Sequence, residues 1–263
     1  MVNIQNYVRV KSLEEAYELN QKKQNRIIGG MLWTKLSRNS IQTAIDLCDL
    51  GLDRIEENEE QFSIGAMVSL RDIENHSGIN TYSCGAVKKA LQNIVGVQFR
   101  NLATIGGSLW GRFGFSDVLT VFLSMDSYVE LYKGGIIPLE QFAKMKYDND
   151  ILVRLIVKKS PGKFVYDALR IQKTDFPIIT CAVSKIGEEY RAVIGARPSK
   201  AIIIRDEKGI LNSGINDENS EKFSDYVAKS SRTSGNMRAS AEYRKHIIRI
   251  LTKRNIIELG SIV

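Results

Sequence analysis

The chain has 263 residues, enough for one large domain or two modest ones. Its 43% hydrophobic and 25% charged residues, four prolines and three cysteines exclude a disordered, collagen-like or disulfide-stapled polypeptide. Lys and Arg outnumber Asp and Glu by 37 to 30, a net charge of +7, but no block of five or six like charges occurs. Apolar runs such as Ile202–Ile204 fall far short of the ~20 residues a membrane helix needs. The stretch from Met1 to Lys23 lacks the apolar core of a signal peptide, so a cytoplasmic location is expected.

Ser12-Leu13-Glu14-Glu15 has the spacing of a capping box, and Leu13, Ala16 and Tyr17 then share one helical face. Arg26–Ile28 reads as a short buried strand running into Gly29-Gly30, and Ala44–Leu47 is a second brief apolar run. Phe62, Ile64 and Ala66 alternate as in a half-buried strand, whereas Val87, Ala90, Leu91, Ile94 and Val95 are in amphipathic helical register. Ser116 is the natural N-cap of an amphipathic helix carrying Val118, Val121, Phe122 and Met125. Strands are predicted at Tyr128–Tyr132 and Ile151–Val157, and Ser160-Pro161-Gly162 is the best linker, placing a boundary near residue 160. Beyond it, Ile178–Ser184 and Arg191–Ile194 flank a Gly187-Glu188 turn as a hairpin would. Tyr243, Ile247, Ile250 and Leu251 form the core face of a last helix, and the basic stretch Arg244–Arg254 reads as its solvated face.

Metal and nucleophile chemistry find little support. Cys48, Cys84 and Cys181 share no close spacing and read as buried thiols, and the two histidines, His76 and His246, fall in a polar turn and on the basic helix. An enzyme built on this chain therefore needs a cofactor to carry its chemistry. Gly29-Gly30 and Gly106-Gly107 each follow an apolar stretch. Either pair can supply the positive φ of an anion-binding nest, or simply a tight turn. Neither belongs to a G-x-G-x-x-G or a G-x-x-x-x-G-K-[ST] pattern.

The segment Val97-Gln98-Phe99-Arg100-Asn101-Leu102-Ala103-Thr104-Ile105-Gly106-Gly107-Ser108, followed by Ser116-Asp117, resembles the hallmark of the FAD-binding medium subunits of molybdenum hydroxylases. That family includes xanthine, nicotinate and carbon monoxide dehydrogenases. Ser12–Ala16, Arg26–Gly30, Phe62–Leu70, Gly195-Ala196-Arg197-Pro198 and Arg238-Ala239-Ser240-Ala241-Glu242-Tyr243-Arg244 are similar to its further landmarks, in the right order. The resemblance implies an α+β protein. Residues 1–160 would form a two-lobed FAD-binding domain of the vanillyl-alcohol-oxidase (PCMH-like) type, with a small α/β lobe over about 1–55 and a larger α+β lobe over about 56–160. Residues 161–263 would form a C-terminal α+β domain of the carbon monoxide dehydrogenase flavoprotein type.

It further implies FAD as cofactor, with Ile27, Ile28, Gly29, Gly30, Met31, Leu32, Trp33 and Thr34 as the first pyrophosphate loop. Thr104, Ile105, Gly106, Gly107 and Ser108 would be the second, donating backbone N–H groups and the Thr104 hydroxyl. Asp117 matches an acidic residue near the ribityl or ribose hydroxyls, and it also suits the N-terminus of its helix. Ile94 and Leu152 fall where the family has apolar flavin contacts. Met31-Leu32 replaces a usual Thr-Asp, Ser108 a usual Asn, and Arg170 only loosely matches a lysine that contacts the flavin in some relatives.

No catalytic side chain or metal ligand is assigned. The implied partners are a molybdopterin-binding large subunit and a [2Fe-2S] small subunit, with NAD⁺ or another acceptor receiving the electrons, and no nucleic acid or membrane. Two alternatives stand beside this reading. One is a flavin-free docking subunit, motivated by Met31-Leu32. The other is a basic nucleic-acid-binding protein, motivated by the charge of +7.

Overall fold

The computed structural model describes residues 2–262. In chain order the elements are β1 Asn3–Arg9, α1 Leu13–Asn20, β2 Asn25–Ile28, β3 Ser40–Asp46, β4 Ile55–Glu57, β5 Gln61–Gly65, α2 Leu70–Asn75, α3 Ser77–Tyr82, α4 Ala86–Leu91, α5 Val97–Leu102 and α6 Ile105–Trp110. They continue with α7 Asp117–Leu123, β6 Ser127–Leu131, β7 Gly135–Pro138, α8 Leu139–Lys144, β8 Leu152–Lys158, β9 Gly162–Arg170, β10 Pro177–Ile186, β11 Glu189–Gly195, β12 Ile202–Arg205, α9 Asp217–Ser230 and α10 Ala241–Ser261. The fold is α+β, with three sheets in two compact units. Each unit is assembled from several chain segments. The first takes the chain up to Ile73, Val97–Gly111 and Ser127–Val157; the second takes Glu74–Gly96, Arg112–Asp126 and the chain from Lys158 onward.

The first unit begins with a parallel three-stranded sheet in the order β1-β3-β2, which needs α1 as the crossover between β1 and β2. Ser12 caps that helix, accepting from the Glu15 N–H at 3.1 Å, while the Glu15 carboxylate accepts from the Lys11 N–H at 2.8 Å. Ala16 is buried against Val10, Ile45 and Leu47 in a cluster that reaches Ile151 and Val153 at the start of β8. The second sheet runs β4-β5-β8-β6-β7. Here β5 departs from the half-buried strand expected: Phe62, Ser63, Ile64 and Gly65 are all buried, because elements cover it on both faces.

In the second unit β10 is the middle of an antiparallel sheet ordered β12-β11-β10-β9, and it is buried from Pro177 to Ser184. One face packs Ile179, Cys181, Val183 and Ile194 against Phe223, Val227, Ile248 and Leu251 of α9 and α10. The other face receives α7: Thr120 and Thr180 share a hydrogen bond at 2.9 Å, and the Ser184 hydroxyl donates to the Ser124 carbonyl at 2.6 Å. This draws residues 112–126 into the second unit. It also explains why α7, expected to be amphipathic, is buried at every position from Asp117 to Leu123.

Ser116 caps α7 as predicted, accepting from the Leu119 N–H at 3.0 Å. Helix α4 stops at Leu91, short of the predicted amphipathic run, and Val95 takes the left-handed region at φ 51°. Cys48 and Cys84 are exposed; of the three thiols only Cys181 is the buried small hydrophobe expected. The largest correction concerns Arg244. It is 1% exposed, not part of a solvated face, and Tyr243 is the residue that points outward.

Replacing Ser184 by Ala leaves the buried Ser124 carbonyl without this donor. Stability in urea unfolding should fall by about 1–3 kcal/mol.

Candidate functional site

Strand β2 delivers the chain into the first loop at Ile28, which is buried with Ile41 and Ala44, while Ile27 is half-buried against the α1 side. The two glycines that follow do not have positive φ, contrary to the nest geometry expected of them. Close approach is what requires them. A Cβ on Gly30 would lie 1.8 Å from the Leu102 carbonyl oxygen, and one on Gly29 would lie 2.8 Å from Thr104 Oγ1. Met31 makes the left-handed turn instead, at φ 56°, its side chain held against the Ile28–Ile41–Ala44 cluster. The turn closes when the Lys35 N–H donates to the Met31 carbonyl at 2.9 Å, leading into a short 3-10 turn over Thr34–Leu36.

Among the described residues, the N–H groups of Gly29, Gly30, Met31, Leu32 and Thr34 meet no internal acceptor. Consecutive donors of this kind, on a loop with one left-handed residue, form a concave surface for an anion. Trp33 is nearly half exposed and stands edge-on to Phe99, with ring centroids 5.9 Å apart.

The second loop does the opposite. Thr104 caps α6, its hydroxyl accepting from the Gly107 N–H at 3.2 Å. The Ile105 and Gly106 N–H groups donate to the carbonyls of Val68 and Ala66, both at 2.9 Å. The Ser108 N–H and hydroxyl both donate to the Thr104 carbonyl, at 3.1 and 2.8 Å. The expected row of free backbone donors over Ile105–Ser108 is therefore absent. This segment is a brace, tied to the turn after β5, and a Cβ on Gly106 would come within 2.6 Å of the Ala66 carbonyl. What it presents is the Thr104 hydroxyl beside Gly29 and the exposed Gly107. The structure thus brings residues 27–34 together with Thr104–Ser108 in the first unit, which also holds Leu152, buried at the head of β8.

Asp117 and Ile94 belong to the second unit, where Ile94 is half-buried just beyond α4. The Asp117 carboxylate is buried and accepts from both the Tyr166 hydroxyl and the Arg170 guanidinium. Burial pushes the Asp117 carboxyl up, against the pull of Arg170, and pushes the Tyr166 phenol up as well, with the Asp117 charge adding to it. Arg170 also donates to the Asp175 carbonyl at 2.7 Å. Sequence reasoning missed Tyr166, and it offered Arg170 only as a loose match to a flavin-contacting lysine, not as the partner of Asp117. The available signal was the two-residue period of β9, which puts positions 166 and 170 on one face. Among the described residues no three His, Cys, Asp or Glu side chains are grouped to hold a metal, and no helix is long and apolar enough to cross a membrane.

The residues present fit a dinucleotide: a loop of N–H groups without internal acceptors, seated where only Gly30 allows the chain to pass, is what two linked phosphates require. Comparison with known proteins agrees. The family described as FAD binding domain in molybdopterin dehydrogenase matches residues 2–159, and the CO dehydrogenase flavoprotein C-terminal domain matches 164–259. The chain is 24% identical to the nicotine 6-hydroxylase medium subunit of Paenarthrobacter nicotinovorans, over 97% of each chain. It is 21% identical to the glyceraldehyde dehydrogenase medium chain of Sulfolobus acidocaldarius, over 97% of this chain and 98% of that one. The fold is shared with quinoline 2-oxidoreductase from Pseudomonas putida 86, at a TM-score of 0.84 and 16% identity, over 97% of this chain and 96% of that one. The chain belongs to the FAD-binding domain family of molybdopterin dehydrogenases, as an oxidoreductase subunit whose cofactor is FAD.

Proposed function

We propose that this chain is the electron-transferring flavoprotein subunit of a molybdenum-containing hydroxylase or dehydrogenase of the xanthine dehydrogenase kind. In this reading a molybdopterin-binding large subunit oxidises the organic substrate, and a [2Fe-2S] small subunit is the source of electrons. When bound, FAD supplies the conversion of one-electron delivery into two-electron delivery to NAD⁺ or another acceptor. The observation that carries the reading is the run of N–H groups at Gly29, Gly30, Met31 and Leu32 that meet no internal acceptor, in a chain of this family.

The protein's own residues have binding and orienting roles. Gly29, Gly30, Met31, Leu32 and Thr34 hold the pyrophosphate through main-chain donors, so the loss of a side-chain hydroxyl and carboxylate at Met31-Leu32 leaves those contacts in place. Thr104 adds a hydroxyl at Gly29, and the braced segment Ile105–Ser108 keeps the first loop from collapsing. Ile94 and Leu152 supply apolar contact to the flavin. Asp117, oriented by Tyr166 and Arg170, offers a carboxylate to sugar hydroxyls, and the pair keeps its charge compensated inside the protein.

The purified chain should show the flavin absorption bands and release FAD on denaturation. Absence of both after incubation with FAD would leave the flavin-free docking subunit as the better reading. Co-purification from the native host should bring down a molybdenum-containing and an iron–sulfur subunit, and reduction of the assembled complex by its substrate should bleach the flavin. Gly30→Ala forces a methyl group into the Leu102 carbonyl, so bound FAD per chain should drop severalfold and thermal stability should fall with it. Asp117→Asn strands the buried Arg170 charge, which should lower stability by about 3 kcal/mol in chemical denaturation.

A further inference from the structure

One end of the second unit's helix–sheet packing holds a cavity of about 720 Å³ that uses no residue of the flavin reading. Lys163, Lys185 and Tyr190 line one side of it, and the start of α9 and the end of α10 line the rest. The three side chains form a cross-strand row: Lys163 on β9 is in register with Lys185 on β10, and Lys185 with Tyr190 on β11. Residues directly opposite on an antiparallel pair share one face, and like charges placed so repel. Here it is the face that α9 and α10 cover, since Val165 and Val183, two residues from the lysines, lie in the helix-packed core.

The row's own partners leave that repulsion largely in place. The Lys163 ammonium donates to the Ile262 carbonyl, a neutral acceptor. The Lys185 ammonium is 3.2 Å from Glu188, whose side chain is 96% exposed and contributes little, and stands 5.3 Å from the centre of the Tyr190 ring. Asp217, the carboxylate in the lining, is 2.9 Å from Lys253. An ammonium carries three donors, so each lysine keeps donors for a ligand. All three members of the row are partly exposed and border the cavity, so a ligand in it reaches them without displacing a buried contact.

We infer that this cavity binds an organic phosphate. A phosphate monoester carries a charge of about −1.5 to −2 at neutral pH and three acceptor oxygens. It can accept from Lys163, Lys185 and the Tyr190 hydroxyl together, which removes the repulsion between the two lysines. A carboxylate has one charge and two coplanar oxygens, and matches the row less well. The organic part lies against Ile215 and Ile257, in a volume larger than a bare phosphate fills.

The test titrates phenyl phosphate, inorganic phosphate and benzoate by calorimetry into the full chain loaded with FAD, so that the first loop is filled. Phenyl phosphate should bind at one site with a Kd of about 1 mM or tighter. Inorganic phosphate lacks the apolar part and benzoate the second charge, so each should bind weaker by about tenfold or more. Lys185→Met should weaken phenyl phosphate by about tenfold or more, and Tyr190→Phe, which removes only a hydroxyl, by about threefold. Should the lysine variant not fold, the tyrosine variant decides. Absence of saturable phenyl phosphate binding, equal binding of benzoate, or an unchanged Kd in the folded variants overturns the assignment. Inorganic phosphate binding as tightly as phenyl phosphate overturns the organic part of it. Flavin absorbance read during the titration excludes displacement of FAD; should the chain take up no FAD, the difference between parent and variants still assigns the heat to this cavity.

Discussion

The first loop leaves its N–H groups without internal acceptors, while the segment behind it has closed its own. Buried backbone polar groups are expensive to leave unpaired, and every donor from Ile105 to Ser108 is spent on Ala66, Val68 or Thr104. Just before that segment, at the end of α5, the Leu102 carbonyl sets how near Gly30 can come. The loop rests there through glycine, is pinned by the Met31 side chain on the β2–β3 cluster, and spends none of its donors from Gly29 to Leu32 internally. The division of labour is unequal. One glycine pair belongs to a loop whose donors are unspent, and the other to the segment packed behind it.

A second economy governs charge. The chain places guanidinium groups inside the protein and holds them largely through main-chain carbonyls, as at Arg197 and Arg244, while Arg170 is matched by Asp117. The net charge of +7 is therefore not a surface property alone. Part of it works as internal scaffolding for strand ends, where a long, planar, five-donor side chain can bind several carbonyls at once. This speaks against the nucleic-acid reading, which needs basic side chains gathered on an accessible face.

What was legible in the amino-acid sequence depended on the range of the interaction. Ser12 and Ser116 were readable as caps because their partners lie three residues away. The β10–β11 hairpin was readable because Gly187 and the alternation on either side are local. The resemblance to flavoprotein subunits identified both loops, but not what each one does. The reason for Gly30 is a carbonyl 72 positions onward, and the reason for Arg244 is a pair of carbonyls 66 and 48 positions back. Neither leaves a trace in spacing or periodicity. The same holds for Asp117, whose partners on β9 lie about fifty residues downstream. Period-2 reading puts Tyr166 and Arg170 on one face, but not which helix meets that face.

The interleaving of segments bears on how the protein reaches its native state. The sheet of the second unit is covered on one face by α7, made early, and on the other by α10, made last. Its central strand therefore has no complete set of neighbours until the chain is almost fully synthesised, and the contacts that bury it are of long sequence separation. Until then the apolar residues of α7 that this packing buries are exposed on the nascent chain. The long-range contacts of the second unit can close only late in synthesis, whereas the parallel sheet of β1, β2 and β3 is complete within the first 46 residues.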